Sequence, residues 1–368
     1  MPVPSTSDLQ IARLAAWPID IPLTDGFAIS RGTVVTAANV FVCVDLHGGA
    51  TGYGECAPFT DLTGEDQKGT LAAIESLRDL VLGQTAATWR RLSQILHEAA
   101  PRQPAARCGL ETAILDALCR AVGLPLWTLF GGAAVGVQET DVTIPILGRE
   151  RSLDLAREWR ARGFRILKMK VGRNLDQEIA TILDICRLWP DVSFVVDANQ
   201  ALSETEALRL MSTLKNHGTN VRLLEQPVGR ADLTALARLR RDSPFPIGVD
   251  ESAGSRDDLV RIIRAQAADV VNLKIMKSGV IEALDMATLA LSSGLAIMFG
   301  GMIETRLAVG CSLALVAGVG PAHTLDLDTP LLLAADPVDG GYCYDGPLMH
   351  LSPGPGHGAA PQTTTGDD

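Results

Sequence analysis

The sequence contains no apolar run close to the roughly 18 residues that a membrane-spanning helix needs. It is also short of positive charge, because 32 lysines and arginines stand against 43 aspartates and glutamates in 368 residues, a net charge of −11. A surface with this excess of negative charge repels nucleic acids and anionic lipids. We therefore expect no nucleic acid and no membrane as a partner, and the first twenty residues lack the basic and apolar segments of a signal peptide.

Cysteine pairs of the CxxC type are absent as well. The seven cysteines are odd in number and scattered along the chain, which indicates free thiols rather than a disulfide framework. Free thiols persist in a reducing compartment. The cysteine pattern therefore predicts a cytoplasmic protein.

The pattern of apolar residues changes near residue 140. Before it, strand-like alternation is followed by helical periodicity, which indicates a small α+β domain. After it, short apolar runs alternate with helical segments, which predicts a parallel sheet. The runs are 142–147, 165–170, 193–199, 221–227, 247–252, 270–275, 295–300 and 323–328. Eight such strands favour a TIM-type (β/α)8 barrel, and a doubly wound sheet is disfavoured because no GxGxxG turn follows the first strand.

One charged residue ends each of five successive strands. Lys170, Asp197, Glu225, Asp250 and Lys274 follow one another at intervals of 24 to 28 residues, the length of one βα unit. The carboxyl ends of barrel strands meet at one mouth, where active sites lie. These five side chains are therefore predicted to converge.

The three carboxylates in this series predict a site for a hard divalent cation. Oxygen ligands in that number favour Mg²⁺ or Mn²⁺ over zinc. Any one of them could instead cap a strand or form a salt bridge. Three in register favour metal binding, especially since each is closely followed by a further polar residue, namely Asn199, Gln226 and Glu251.

Two lysines stand two residues apart in RILKMKVG (165–172), so Lys168 and Lys170 share one face of a strand. A lysine acts as a base when its pKa falls toward the working pH, and a neighbouring cation lowers it. Lys170 is therefore the candidate base, with Lys168 as its electrostatic partner and Lys274 across the mouth. Abstraction of a proton α to a carboxylate fits this set, because a metal on that carboxylate would stabilise the enediolate.

Five motifs in this order resemble the enolase superfamily, in its muconate-lactonizing subgroup. They are KMK at 168–170, DANQA at 197–201, EQP at 225–227, DES at 250–252 and NLKIMKSG at 272–279. The resemblance covers nearly the whole chain. The related branch that resembles mandelate racemase uses a histidine at the end of strand seven, and the segment IMFGGM (297–302) has none.

The resemblance implies an α/β fold of three parts. These are an N-terminal α+β capping domain at 1–135, a modified (β/α)7β barrel at 136–335, and a segment at 336–368 that returns to the capping domain. The polar composition of the last residues, from about Ala359, separately predicts a disordered tail. It also implies Mg²⁺ on Asp197, Glu225 and Asp250. Lys170 and Lys274 would be the acid/base pair, and the protein would form a homo-oligomer.

The segment TLDLDTPLLL (324–333) discriminates within the subgroup. Its Asp326 and Asp328 resemble the DxD pattern of dipeptide epimerases, where two carboxylates hold the ammonium group of the substrate. Arg31 resembles the loop arginine that meets a distal carboxylate in Ala-Glu epimerases, or is simply an exposed loop residue. The remaining candidate substrate contacts are Phe27, Phe59, Asn199 and Glu251.

These features predict epimerisation at the α-carbon of an amino-acid residue, most simply in a dipeptide, by two lysines on opposite faces. The same lysines would serve a dehydratase that eliminates a β-hydroxyl group, for example from a hydroxyproline. An N-acylamino acid racemase, an o-succinylbenzoate synthase and a non-catalytic barrel are further alternatives. The last is disfavoured because no expected lysine or metal ligand is missing.

Overall fold

The computed structural model describes residues 4–29, 32–132 and 136–362. Its strands are β1 Ile11–Ile29, β2 Gly32–Leu46, β3 Thr51–Cys56, β4 Gln138–Glu139, β5 Val142–Ile144, β6 Ile166–Lys170, β7 Ser193–Asp197, β8 Val221–Glu225, β9 Ile247–Val249, β10 Val270–Leu273, β11 Ala296–Gly300, β12 Thr324–Asp326, β13 Val338–Gly340, β14 Cys343–Asp345, β15 Leu348–His350 and β16 Ala359–Pro361.

The helices fall in both halves of the chain. They are α1 Thr60–Thr63, α2 Gln67–Val81, α3 Trp89–Ala99, α4 Pro104–Val122, α5 Leu126–Leu129, α6 Arg149–Ala161, α7 Leu175–Leu188, α8 Glu204–Asn216, α9 Leu233–Asp242, α10 Arg256–Ala265, α11 Ile275–Ser278, α12 Val280–Ser292 and α13 Arg306–Val319, with 3-10 turns at Ala86–Thr88 and Thr329–Leu332. In the part of the chain that the structure describes, no helix is long and apolar enough to cross a bilayer.

The N-terminal domain is an antiparallel sheet of β1, β2 and β3 packed against helices. Helix α4 lies closest to the sheet and is buried along almost its whole length. Such burial requires an apolar helix with small residues on the contact side. A Cβ atom at Gly54 in β3 would overlap the carbonyl oxygen of Gly109 in α4. Glycine at position 54 therefore lets the helix and the strand approach each other.

The second part of the chain is a barrel of eight parallel strands in the order β5 to β12. The ring closes where the main-chain N–H of Asp141, just before β5, donates to the carbonyl oxygen of Leu325 in β12 (2.9 Å). All eight predicted strands are present, each one to three residues shorter than predicted. Helical segments make the seven connections between them, which confirms the predicted (β/α)7β architecture.

Local sequence explains how the barrel elements form. Every residue of β6 and β7 is buried, as expected for parallel strands covered on both faces. The helices begin at capping residues, for example Ser203, which forms a capping box with Glu206 at the start of α8. Apolar side chains from alternate positions fill the barrel interior, namely Ile166, Val195, Leu223, Val270 and Met298.

The C-terminal segment runs back over the capping domain. The main-chain N–H of His357 donates to Asp116 Oδ1 in α4 (2.9 Å), and Arg120 donates to the carbonyl oxygen of Ala359 (2.6 Å). The disordered tail expected from Ala359 does not begin there, because Ala359–Pro361 pair with β13 as strand β16. Ala359 is fully buried, a contact that the polar composition of the tail does not indicate. The last residues, 363–368, lie outside the described residues. The domain boundary expected between 135 and 136 falls at the edge of a described range.

We expect the substitution Gly54→Ala to lower the free energy of unfolding by about 1–3 kcal/mol, because overpacking a close backbone contact forces the chain apart. Urea denaturation would measure the change. Gly229→Ala is the matched control, since a Cβ atom there has open space around it. Equal stability of the two variants would contradict the close approach of α4 and β3.

Candidate active site

The barrel strands carry the predicted charged residues to one level of the mouth. Neighbouring strands pair Lys170 with Asp197, and Asp197 with Glu225. Asp250 follows the end of β9 and Lys274 follows the end of β10. All five side chains are buried, so the convergence predicted from their spacing is present in the structure.

The ammonium group of Lys168 is fully buried and surrounded by carboxylates. Its Nζ lies 2.6 Å from Asp326 Oδ2, 2.8 Å from Glu225 Oε2 and 3.2 Å from Asp197 Oδ2. Burial disfavours the charged amine, but these carboxylates outweigh it and raise the pKa of Lys168 well above its usual value. Lys168 is therefore a fixed positive charge in this arrangement.

Lys170 and Lys274 each contact one of the predicted metal ligands. Lys170 Nζ lies 2.6 Å from Asp197 Oδ2, and Lys274 Nζ lies 2.8 Å from Asp250 Oδ2. Burial opposes the charge of Lys274, yet Asp250 raises its pKa above the usual value. The two amines come from β6 and from the end of β10, with three strands between them on one side of the ring and three on the other.

The three predicted metal ligands differ in their protonation because their partners differ. For Asp197, burial is outweighed by Lys170 and Lys168, which lower its pKa to about 2. For Asp250, Lys274 and Lys277 likewise overcome burial and lower the pKa. Burial and the charge of Asp197 raise the pKa of Glu225 to about 7. Negative charge is thus in excess around Glu225, which favours a cation there.

Each of the three predicted metal ligands contacts an ammonium group, and the three carboxylates do not point at one common position. Within the described ranges, the acidic trio whose oxygens lie within 4.8 Å of one another is instead Asp141, Asp326 and Asp328. The donor set of Asp197, Glu225 and Asp250 nonetheless suits Mg²⁺, since all three are oxygen ligands and all are at most 1% exposed.

Several further side chains orient these ligands. Asn272 donates to Glu225 Oε1 (2.6 Å), and Lys277 donates to Asp250 Oδ1 (2.6 Å). Sequence reasoning assigned neither residue a role, although both lie in the quoted motif NLKIMKSG. Their position within three residues of Lys274, with Asn272 in β10 and Lys277 after it, was the available signal.

Gln226 connects the two loops that carry the predicted metal ligands Glu225 and Asp250. Its side-chain oxygen accepts from the main-chain N–H groups of Asp250 (3.0 Å) and Ser252 (3.1 Å), while its nitrogen donates to Ser252 Oγ (2.8 Å) and to the carbonyl oxygen of Val228 (3.0 Å). Its backbone has a positive φ of 37°, a strained conformation for a residue with a Cβ atom. The four hydrogen bonds offset that strain.

The two aspartates of the DxD pattern occupy different positions. Asp326 lines the cavity and pairs with Lys168. Strand β12 ends at Asp326, so strand periodicity does not extend to Asp328, which is fully buried and accepts from the N–H of Thr143 (2.6 Å). Burial and the neighbouring Asp326 raise the pKa of Asp328 to about 6. Asp141, whose oxygens have no hydrogen-bond partner, completes this acidic trio and was not foreseen.

The cavity at the barrel mouth has a polar floor and an apolar lid. The floor carries Lys170, Lys274, Asp250, Asp326, Asn199 and Glu251. The lid carries Phe27, Phe59, Leu62, Met302 and Ile303. Phe27, Phe59, Asn199 and Glu251 therefore line the cavity as predicted. Arg31, the predicted loop contact, lies outside the described residues.

A buried glutamate supports the wall of this cavity. Glu304 is fully buried, and its Oε1 accepts from the N–H of Met302 (2.8 Å) while its Oε2 has no partner. Burial, with a smaller contribution from Glu55, raises the pKa of Glu304 to about 8. The side chain is therefore a neutral acid at pH 7.

The fold and this ring of charges define a barrel enzyme whose active site is covered by an N-terminal domain. Residues 14–131 match the family model of the mandelate racemase/muconate lactonizing enzyme N-terminal domain, and residues 151–365 match the enolase C-terminal domain-like model. The chain belongs to this family, within the enolase superfamily.

Proteins similar to this chain include dipeptide epimerases. An aromatic dipeptide epimerase of Herpetosiphon aurantiacus is 40% identical over 349 residues, covering 95% of this chain and 98% of that protein. An L-Ala-D/L-Glu epimerase of Thermotoga maritima is 33% identical over 325 residues, covering 88% and 94%. Epimerases are isomerases, and the chain is an enzyme of that class.

Solved structures agree with this assignment. The crystal structure of the dipeptide epimerase of Enterococcus faecalis, complexed with Mg and the dipeptide L-Leu-L-Tyr, superimposes with a TM-score of 0.91 at 29% identity. The match covers 95% of this chain and 99% of that one. The similarity therefore includes the capping domain as well as the barrel.

We expect Gln226→Leu to lower the free energy of unfolding by about 2–4 kcal/mol, because it leaves buried N–H groups of Asp250 and Ser252 without an acceptor. Urea denaturation would measure this. Gln200→Leu is the matched control, since Gln200 also has a positive φ but accepts only an exposed hydrogen bond from Arg230. Similar losses in both variants would contradict a stabilising role of the buried hydrogen bonds of Gln226.

The substitution Glu304→Gln should change how stability depends on pH. The folded protein holds the proton of Glu304 up to about pH 8, whereas an ordinary glutamate releases it near 4.5. The folded state thus binds more protons between these values, and stability falls as the pH rises, by up to about 1.4 kcal/mol per pH unit. Denaturation at pH 5 to 8 should show a shallower decline for Glu304→Gln. The exposed Glu98→Gln serves as control, and an unchanged slope in Glu304→Gln would refute the assignment.

Proposed function

We propose that this chain is a Mg²⁺-dependent epimerase that inverts the α-carbon next to the carboxylate of a dipeptide. The observation that carries the proposal is the placement of Lys170 and Lys274, which face one cavity from opposite sides of the barrel mouth. One amine can remove the α-proton while the other delivers a proton to the opposite face. Net inversion requires such a pair.

The lysines are held for this transfer by carboxylates. Asp197 fixes Lys170 at 2.6 Å, and Asp250 fixes Lys274 at 2.8 Å. The residues that would hold Mg²⁺ are Asp197, Glu225 and Asp250. When bound there, Mg²⁺ supplies positive charge that stabilises the deprotonated substrate and offsets the carboxylates that raise the pKa of Lys274.

The substrate ammonium group would bind at Asp326. This carboxylate lines the cavity, and a cationic amine forms charge-assisted hydrogen bonds with such a group. Asp328 and Asp141 lie beside it in the acidic trio, where burial and the neighbouring carboxylates raise the pKa of Asp141 and so favour its neutral form. An N-acyl or N-succinyl substrate carries no cation at this position, so the acidic trio favours a free amino terminus.

The relatives support both the metal and the substrate class. The Enterococcus faecalis enzyme is complexed with Mg and a dipeptide, and the relatives from Herpetosiphon aurantiacus and Thermotoga maritima are both named as dipeptide or L-Ala-D/L-Glu epimerases. The relatives named as dipeptide epimerases favour epimerisation over β-elimination, a reaction that the same two lysines could also serve.

We expect Lys170→Met to reduce epimerisation of dipeptides by about 10²–10⁴-fold, the usual contribution of a general acid or base. Proton NMR in D₂O with Mg²⁺ would follow both the epimer and the α-proton. Because Lys274 remains, one of the two epimers should still exchange its α-proton for deuterium without inverting.

Lys215→Met, at an exposed lysine on α8, is the control and should epimerise at the wild-type rate. Full epimerisation by Lys170→Met would exclude the two-lysine mechanism. Formation of vinylic or imine products by the wild-type enzyme would indicate a dehydratase instead.

A further inference from the structure

We infer that the active site selects dipeptides whose epimerised residue carries an apolar side chain, with aromatic side chains preferred over acidic and basic ones. This inference rests on the proposed function and names the substrates that the same site would accept. It depends on four features of the cavity. These are the position of Phe27, the continuity of the apolar lid, the charge at the rim, and the ion pairs that the described lining lysines already form.

The position of Phe27 places it beside the reacting carbon. Its ring centroid lies 5.9 Å from Lys170 Nζ. A base must come within hydrogen-bond distance of the proton that it removes. The α-carbon of a substrate therefore lies next to Lys170, and the side chain on that carbon lies within contact distance of the Phe27 ring.

The lid is a continuous apolar surface contributed by both parts of the fold. Phe27 and Phe59, from the capping domain, pack against Ile303, which follows the end of β11 in the barrel. Ile303 and Met302 are buried, whereas Phe27, Phe59 and Leu62 are only half-buried. The exposed parts of these three side chains are apolar surface that a substrate side chain can cover. Aromatic rings also pair favourably with one another in edge-to-face or offset geometry.

The charge at the rim opposes an acidic substrate side chain. Asp61 is exposed and lines the cavity beside Leu62. Glu251 also lines the cavity. A glutamate side chain on the epimerised residue would approach Asp61, and like charges at close range repel.

No described lining residue offers a free cation to such a substrate. The cations among the lining residues in the described ranges are Lys170 and Lys274, and both are committed to Asp197 and Asp250. At the rim, a cationic substrate side chain would meet Asp61, and an exposed carboxylate binds weakly because water and salt screen it. The lid therefore favours apolar side chains over both charged classes.

The test is a comparison of kcat/KM for four dipeptides that share an N-terminal L-Ala and differ in the epimerised residue. L-Ala-L-Phe, L-Ala-L-Leu, L-Ala-L-Glu and L-Ala-L-Lys would be followed by α-proton exchange in D₂O with Mg²⁺. We expect L-Ala-L-Phe to exceed L-Ala-L-Glu and L-Ala-L-Lys by at least about 100-fold, since a buried apolar pocket discriminates by that order. L-Ala-L-Leu should fall between.

Variants then locate the selectivity. Phe27→Ala should lower kcat/KM for L-Ala-L-Phe by about 10–100-fold while changing L-Ala-L-Ala by less than about threefold, because only the larger side chain contacts the ring. Asp61→Asn should raise kcat/KM for L-Ala-L-Glu relative to L-Ala-L-Phe. Phe245→Ala, at a half-buried phenylalanine outside the cavity, controls for general loss of stability and should leave the ratio of the two substrates unchanged.

Two failures can be distinguished. Exchange with L-Ala-L-Glu or L-Ala-L-Lys at least equal to that with L-Ala-L-Phe would overturn the selectivity and leave dipeptide epimerisation intact. Equal losses for L-Ala-L-Phe and L-Ala-L-Ala in Phe27→Ala would also overturn it. Absence of exchange with all the dipeptides would instead refute the proposed function.

Discussion

The buried charge of Lys168 is the constraint on which the barrel mouth depends. An ammonium group without access to water is tolerated only when carboxylates surround it, and here they come from β7, β8 and β12. The contact with Asp326 crosses the seam between β12 and β5, where the ring closes. Replacing the lysine by a neutral residue would leave three carboxylates in one buried space. Electrostatics at this point therefore hold together the same strands that present the catalytic groups.

Much of this arrangement could be predicted from the sequence because it follows from a repeat. One βα unit has a nearly constant length, so Lys170, Asp197 and Glu225 at that interval had to meet at one end of the barrel. The positions of residues outside this repeat are harder to predict from the sequence. Strand β12 ends at Asp326, which turns Asp328 inward, and Asp141 joins them only because the first and last strands are neighbours in the closed ring. Contacts between strands far apart in sequence leave no periodic signal.

Strain in the loops after the strands accompanies this concentration of charge. Asn199, Gln200 and Gln226 all have positive φ values although none is glycine. Each follows a predicted metal ligand by one to three residues. A glycine would adopt the same backbone more easily, but its missing side chain could not make the hydrogen bonds that Gln226 makes to both neighbouring loops. The site keeps side-chain amides at strained positions because they fix the carboxylates.

The capping domain is fastened to the barrel at two helix ends. Glu55 accepts hydrogen bonds from Thr305 and Ala308 at the start of α13, and Glu111 accepts from Val280 (2.6 Å) at the start of α12. Both glutamates are buried. A rigid-body rotation of the domain would therefore expose their carboxyl groups or leave them buried without hydrogen-bond partners. We therefore expect substrate to enter by local movement of the half-buried segments around Phe27 and Leu62, while the rest of the capping domain keeps its position on the barrel.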